Sequence, residues 1–230
     1  MKLTLMYFSP TGTTKKIVAR IGKVFFEKML CDTRPVDLTK LATRMRPCAF
    51  AEGDVLIFGA PVYAGRVPAL VSEYIKSLQG NGARAVAVSV YGNRDFDDAL
   101  SETCDLLTAQ GFCVCAAGAF IGEHSYTRKV GTGRPDAEDL LAADAFGIAA
   151  FEKVVSGKGI QKKIPGHFPY KNVSPIPLFP SADESCIFCA KCADTCPVGA
   201  ISRDDLKNTN TALCISCAAC VHACPVGARR

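Results

Sequence analysis

The sequence has no tryptophan. It has no apolar run long enough to cross a bilayer. Its first residues, Met1 to Phe8, carry one lysine and a very short apolar stretch before Ser9-Pro10, too short for the core of a secretory leader. It lacks the Gly-Lys-Ser/Thr ending of a Walker A loop and the three-glycine dinucleotide fingerprint. No motif therefore supports direct nicotinamide use. It also lacks a basic face spread over the chain. The formal charge is +5, yet residues 181–230 carry five acids and five bases. Four of the five charges come from Lys158, Lys162, Lys163 and Lys171, in a stretch without acids. This distribution argues against a nucleic-acid partner. The expectation from these absences is a protein of the reducing cytoplasm with no membrane span.

What is present begins with cysteine. Eight of the 13 fall in two runs, Cys186-x-x-Cys189-x-x-Cys192-x-x-x-Cys196-Pro197 and Cys214-x-x-Cys217-x-x-Cys220-x-x-x-Cys224-Pro225. An offset of 28 residues (214 − 186) relates all four pairs, and also Ile187 to Ile215, Ala190 to Ala218 and the two Pro-Val-Gly-Ala tails. One unit has been written twice. Three thiolates within seven residues can wrap three corners of an iron–sulfur cubane, with the Cys-Pro carried away from that corner. Zinc sites pair a CxxC with a distant second pair instead, and disulfides require an oxidising compartment. The remaining cysteines, Cys31, Cys48, Cys104, Cys113 and Cys115, lie in apolar context and read as small buried hydrophobes. Cys113 and Cys115 alternate on one strand face, which suits a core better than a redox pair.

Residues 184–230 resemble a bacterial-type ferredoxin with two [4Fe-4S] clusters. The resemblance implies crossed ligation, in which the last cysteine of each run serves the other cluster. Cluster A would be held by Cys186, Cys189, Cys192 and Cys224, and cluster B by Cys214, Cys217, Cys220 and Cys196. The first run continues into Ile201, where the second ends at Arg229-Arg230, so a short or missing terminal strand is expected.

The rest of the chain alternates strand and helix. Lys2–Phe8 reads as a first strand, followed by Ser9-Pro10-Thr11-Gly12-Thr13-Thr14 and a helix to Leu30 with Ile17, Val18, Ile21, Val24 and Phe25 at helical spacing. Further strands are expected at Asp32–Asp37, Asp54–Gly59, Arg84–Val90 and Phe112–Phe120, with helices to Leu78 and Gln110. A last helix spans Asp136–Val155, where Asp136 and Asp139 form an N-cap pattern after Pro135. Five such alternations predict an α/β fold with a parallel sheet. Ligands in such sheets bind beyond the carboxyl ends of the strands, where the loops after strands 1, 3 and 4 meet. The first loop offers hydroxyls, backbone N–H groups and a helix N-terminus to an anion, although an ordinary capped helix would read the same way.

The hydroxyl loop resembles the flavodoxin phosphate loop, Ser/Thr-x-Thr-Gly-x-Thr, at Ser9, Thr11, Gly12 and Thr14. Residues 1–155 are thus similar to a flavodoxin-like domain, doubly wound with strand order 2-1-3-4-5, and the whole chain resembles the flavodoxin–ferredoxin fusion proteins of anaerobes. The resemblance implies FMN, with its phosphate at Ser9, Thr11, Gly12, Thr13 and Thr14. The ring would be framed by Pro61, Val62, Tyr63, Ala64 and Gly65, and by Tyr91, Gly92, Asn93 and Phe96. Many flavodoxins stack a tryptophan on the flavin. Here Tyr63, Tyr91 and Phe96 are the candidates, each equally readable as ordinary packing. Asn93 could present its amide to the ring or simply occupy a turn. His124 ends strand 5 near the same face. The basic, glycine-rich loop 127–135 could cover the flavin, meet a partner or lie in solvent.

Residues 156–183, rich in proline and lysine, are expected to be an extended connector that packs on a surface through Phe168, Tyr170 and Phe179. A flavin and two clusters on one chain suggest an electron-transfer flavo–iron–sulfur protein that converts two-electron to one-electron transfer. It would be an oxidoreductase or a carrier, serving a redox protein as donor or acceptor. The rival reading is a redox- or oxygen-responsive subunit that docks on a larger oxidoreductase. A homodimer is left open.

Overall fold

The computed structural model describes residues 1–46, 48–174 and 177–230. Five strands form one parallel sheet: β1 (Leu3–Tyr7), β2 (Thr33–Asp37), β3 (Val55–Pro61), β4 (Arg84–Tyr91) and β5 (Cys113–Ile121). Their order is β2-β1-β3-β4-β5, as expected from the sequence. β3 and β4 lie inside the sheet and are buried along nearly their whole length.

The two faces are covered by different helices. α1 (Thr13–Met29) and α5 (Ala137–Ser156) lie on one side. There Ile17, Val18, Ile21 and Phe25 are fully buried against Ile57, Val86 and Val88, each burial stabilising by about 1.5–3 kcal/mol. α3 (Ala69–Lys76) and α4 (Ala99–Ala109) cover the other side over Leu56, Phe58 and Ala87. Gly59 sets the approach of α1 to the sheet, since a Cβ there would lie 2.3 Å from a Val18 methyl. The capping box at Asp136 and Asp139 opens α5 as expected. A four-residue helix, α2 (Leu41–Arg44), follows β2.

Between β4 and β5 the register slips by one residue at Ala85/Val86, so Cys115 is the extra residue of a bulge. It is buried, and its sulfur lies 3.9 Å from that of Cys113. Burial first, then Cys113, pushes the Cys115 thiol up to about 12. Such a thiol is inert at neutral pH, consistent with a packing role.

The connector does not wander. The carboxylate of Asp98, itself only 1% exposed, accepts from the backbone N–H groups of His167 (2.8 Å) and Lys171 (2.7 Å). Tyr170 donates to Asp105 and lies under the guanidinium of Arg66 at 4.8 Å. Phe168, expected to pack, stays 86% exposed and touches only the Tyr170 ring edge-on among the described aromatic contacts. The anchor is therefore mainly polar.

The cysteine-rich unit repeats in its backbone as well as its sequence. Two short helices, α6 (Lys191–Thr195) and α7 (Ala219–Ala223), are offset by 28 residues (219 − 191). The pairs Phe188/Ser216, Ala190/Ala218 and Gly199/Gly227 share positive φ within a few degrees. Among the described residues its only β-pairing is the antiparallel bridge Ala182–Arg229, extended by Ser181 and Arg230 exchanging backbone hydrogen bonds at 3.0 Å. The terminal strand is thus very short, and its partner begins at Ser181, within the stretch read as connector.

Candidate cofactor-binding site

A cavity of about 930 Å³ opens at the carboxyl ends of the strands. Of the residues expected there, Thr11, Thr13, Thr14, Pro61, Val62, Tyr63, Ala64, Tyr91 and Gly92 line it. Ser9, Gly12, Gly65, Asn93 and Phe96 are not among its lining residues, for local reasons. The Ser9 hydroxyl accepts from Lys15 N at 3.0 Å, which ties down the first turn of α1. Gly12 supplies the left-handed φ of 89° that starts the helix. Gly65, also left-handed, backs onto Asp97, and the Asn93 Cβ lies beside Gly131. Phe96 packs edge-on against Tyr91 at 5.6 Å and against the lower core.

The mouth of α1 fits an anion. Thr14 is buried in the first turn of α1, and its hydroxyl has no hydrogen-bond partner. A buried hydroxyl without a partner is costly, and a phosphate oxygen at a helix N-terminus would satisfy it. His124 also lines the cavity. Burial, and then Arg94, hold its pKa below the ordinary value, so it is neutral at pH 7. Gly92 makes room for it, since a Cβ there would fall 2.8 Å from the His124 ring. Loop 127–135 contributes no lining residue. It folds back on Glu123 and His124 through Glu123 N to Arg134 O (2.9 Å) and Gly133 N to Glu123 Oε2 (2.8 Å).

The loop after β3 is braced. Arg66 grips Glu102 with two hydrogen bonds of 2.7 and 2.8 Å and reaches Lys171 O at 2.7 Å with its remaining nitrogen. Glu102 also accepts from Val67 N at 3.0 Å. One buried carboxylate thus fixes both the loop after β3 and the connector.

Sequence reasoning missed the far wall of this cavity. It is built from the connector and from the second cysteine run, including Leu178, Cys214, Ile215 and Ser216. Ile215 packs against the hydrophobic core under α3 and α4. Tyr126 donates to Ser216 O, His222 Nε2 donates to Ser125 O at 3.0 Å, and Arg44 donates to Pro197 O. The Tyr63 ring borders the cavity while its hydroxyl is enclosed. Burial, then Cys217 and Tyr126, raise its pKa well above the ordinary value.

The eight cysteines gather in two groups of four. One small cavity is lined by Cys186, Cys189, Cys192 and Cys224, the other by Cys214, Cys217, Cys220 and Cys196. In each, the fourth cysteine comes from the other run. Burial pushes the Cys217 thiol up to about 12, and Cys220, Cys196 and Cys214 add to the shift. Cys196 thus acts on Cys217 from across the unit. Among the described residues no three His, Cys, Asp or Glu side chains converge on a point that would hold one ion. A cubane places its thiolates on separate irons, which suits four cysteines set around one small cavity.

A flavodoxin domain family matches residues 4–120, and a 4Fe-4S dicluster domain family matches residues 185–228. The chain is a flavodoxin–ferredoxin fusion.

Solved structures are similar to the first part of the fusion. Oxidised flavodoxin 2 from Bacillus cereus superposes with a TM-score of 0.50 at 15% identity, over 66% of this chain and 99% of that one. A flavodoxin from the domain Archaea gives 0.48 at 18% identity, over 67% and 99%. No curated protein sequence matches the chain. The fusion is an FMN and iron–sulfur electron-transfer protein, and such domains work with redox partners. Among the described residues, no helix is long and apolar enough to cross a membrane.

Proposed function

We propose that the fusion converts two-electron to one-electron transfer within a single chain, in the order flavin, cluster B, cluster A. FMN exchanges electrons in pairs or singly, and each cubane exchanges one. The observation that carries the order is the position of Cys214. It lines the flavin cavity and also the cavity shared with Cys217, Cys220 and Cys196. In this reading Cys186, Cys189, Cys192 and Cys224 hold the distal cluster.

The chain's own residues do the positioning. Thr11, Thr13 and Thr14 hold the phosphate end, the loop from Pro61 to Ala64 borders the ring, and Ile215 keeps the ferredoxin part seated. The Asp98 strap restricts where that part can move. Residues 1–155 carry the flavin, 156–183 are the strap and 184–230 carry the clusters. The two repeats, alike in sequence, meet different surroundings. Ile215 is half-buried against the flavodoxin core, whereas Ile187 and Phe188 are 59% and 62% exposed. The exposed end is where a one-electron partner would exchange with cluster A.

The test is anaerobic purification of the full chain, with flavin and iron counts and a stepwise reductive titration followed by absorbance. The expected result is one FMN, the iron of two cubanes and reversible titration of every centre. Iron for one cubane, or a flavin released as FAD, would overturn the proposal.

A further inference from the structure

Arg229 is an arginine with 1% exposure in a unit of only about fifty residues. Its hydrogen-bond partners are four carbonyls and a hydroxyl. Nη1 donates to Leu206 O (2.8 Å) and Lys207 O (3.5 Å), and Nη2 to Pro180 O (3.1 Å), Asn208 O (3.2 Å) and Thr209 Oγ1. No carboxylate is among them. A buried guanidinium stays charged, and a buried charge without a counter-charge is costly. Its Nε is also buried and has no hydrogen-bond partner. Carbonyls and one hydroxyl account for the two outer nitrogens, and the carboxylate of Asp205, which feels the charge, forms no ion pair with it, so Nε is left without a partner.

The residue sits between the two groups of cysteines. Its side chain borders the cavity of Cys186, Cys189, Cys192 and Cys224. Cys220, which belongs to the other four, packs with Leu206, whose carbonyl Arg229 holds, and the charge of the guanidinium acts on its thiol. Its backbone N–H, with those of Val226, Gly227 and Ala228, turns toward the Cys224 sulfur. One residue therefore addresses a ligand in each group. Cubanes ligated by four thiolates are anionic and become more so on reduction, and their potentials respond to nearby charge and to hydrogen bonds on sulfur.

We propose that Arg229 is the internal counter-cation of the two-cluster unit, raising the reduction potentials of both clusters by its charge and that of cluster B further by donating Nε–H to Cys220 Sγ. This rests on the crossed ligand assignment. In that role Arg229 is a positioning and tuning residue, since it exchanges no electrons.

The experiment is an anaerobic redox titration of the full holoprotein, followed by electron paramagnetic resonance, for the wild type and for R229K, R229M and T209V. Iron content is measured on each, and cluster B is identified as the signal altered by C196S. These two measurements check the ligand assignment independently of any potential. R229K keeps the charge and lacks Nε, so only cluster B should become harder to reduce, by about tenfold in its reduced fraction at fixed potential. That equals about 59 mV for a one-electron couple. R229M should lower both clusters. T209V loosens the carbonyl cage without touching the charge, so it should lower the melting temperature and leave both potentials in place. Unchanged cluster B potential in R229K with full iron overturns the proposal. So does a T209V shift equal to that of R229K, which would mark Arg229 as a structural tie alone. If R229M fails to assemble, R229K and T209V still decide.

Discussion

The phenol of Tyr126, in the loop after β5, donates to the backbone carbonyl of Ser216, in the second cysteine run. Burial first, then Cys217 and Cys214, raise the Tyr126 pKa. One hydroxyl thus touches both halves of the molecule at the point where the flavin cavity meets the cluster B cysteines. Tyr126→Phe should remove about 1 kcal/mol of docking while keeping the ring. The expected outcome is faster proteolysis of the connector and slower internal electron transfer, with FMN affinity unchanged. Wild-type behaviour in both assays would show that Ile215 alone seats the ferredoxin part.

The phosphate loop makes a sharper prediction. Thr14→Val keeps the shape and removes the buried hydroxyl that lacks a partner. Losing one charge-assisted hydrogen bond costs about 1.5–3 kcal/mol, so FMN should bind roughly 10- to 150-fold more weakly. Fluorescence titration of apoprotein measures this, with riboflavin as a control. Riboflavin has no phosphate, so its affinity should not change between wild type and variant.

Ligand crossing can be read from a single substitution. Cys196→Ser should damage the cluster shared with Cys214, Cys217 and Cys220 and leave the other spectroscopically intact. Loss of the cluster held by Cys186, Cys189 and Cys192 instead would refute the crossed assignment.

Acid should release the connector. Burial raises the Asp98 pKa, but the backbone N–H groups of Lys171 and His167, and then the His167 side chain, outweigh it and hold the carboxyl below its ordinary value. A depressed folded pKa adds stability that is complete above the unfolded value and lost as pH falls through the folded one. Connector cleavage should therefore be flat from neutral pH to about 4 and rise below it. Asp98→Asn should be cleaved several-fold faster at pH 7, with this acid-dependent rise abolished. Limited proteolysis across residues 158–174 reads both, and equal rates in wild type and variant at pH 7 would remove Asp98 as the anchor.

Much of this was legible in the sequence. The apolar patterning pointed to five strands alternating with helices, the 28-residue offset to a duplicated cysteine unit, and the resemblance to flavodoxins to the strand order. What stayed hidden depends on tertiary context. Ile187 and Ile215 occupy equivalent places in the repeat, so nothing local tells which is docked and which is bare. Asp98 stands at the start of α4 and looks like a helix cap, yet its side chain makes no cap bond and turns to the connector instead. Arg229 reads as a terminal surface charge until the chain folds it under Pro180 and Leu206. Phe168 failed in the opposite sense, because an aromatic in a connector can remain in solvent when polar groups do the anchoring.

The central claim is that flavin and clusters form one internal path. The most direct measurement is rapid-mixing absorbance of cluster reduction after the flavin is reduced, at several dilutions, for the intact chain and for a chain cut at Ser174. Tethering replaces encounter with an effective concentration on the order of millimolar. The intact chain should reduce its clusters at a rate independent of protein concentration, and the cut chain more slowly and in proportion to concentration once its halves separate. A rate in the intact chain that scales with concentration would contradict the account and mean that the two halves serve other molecules.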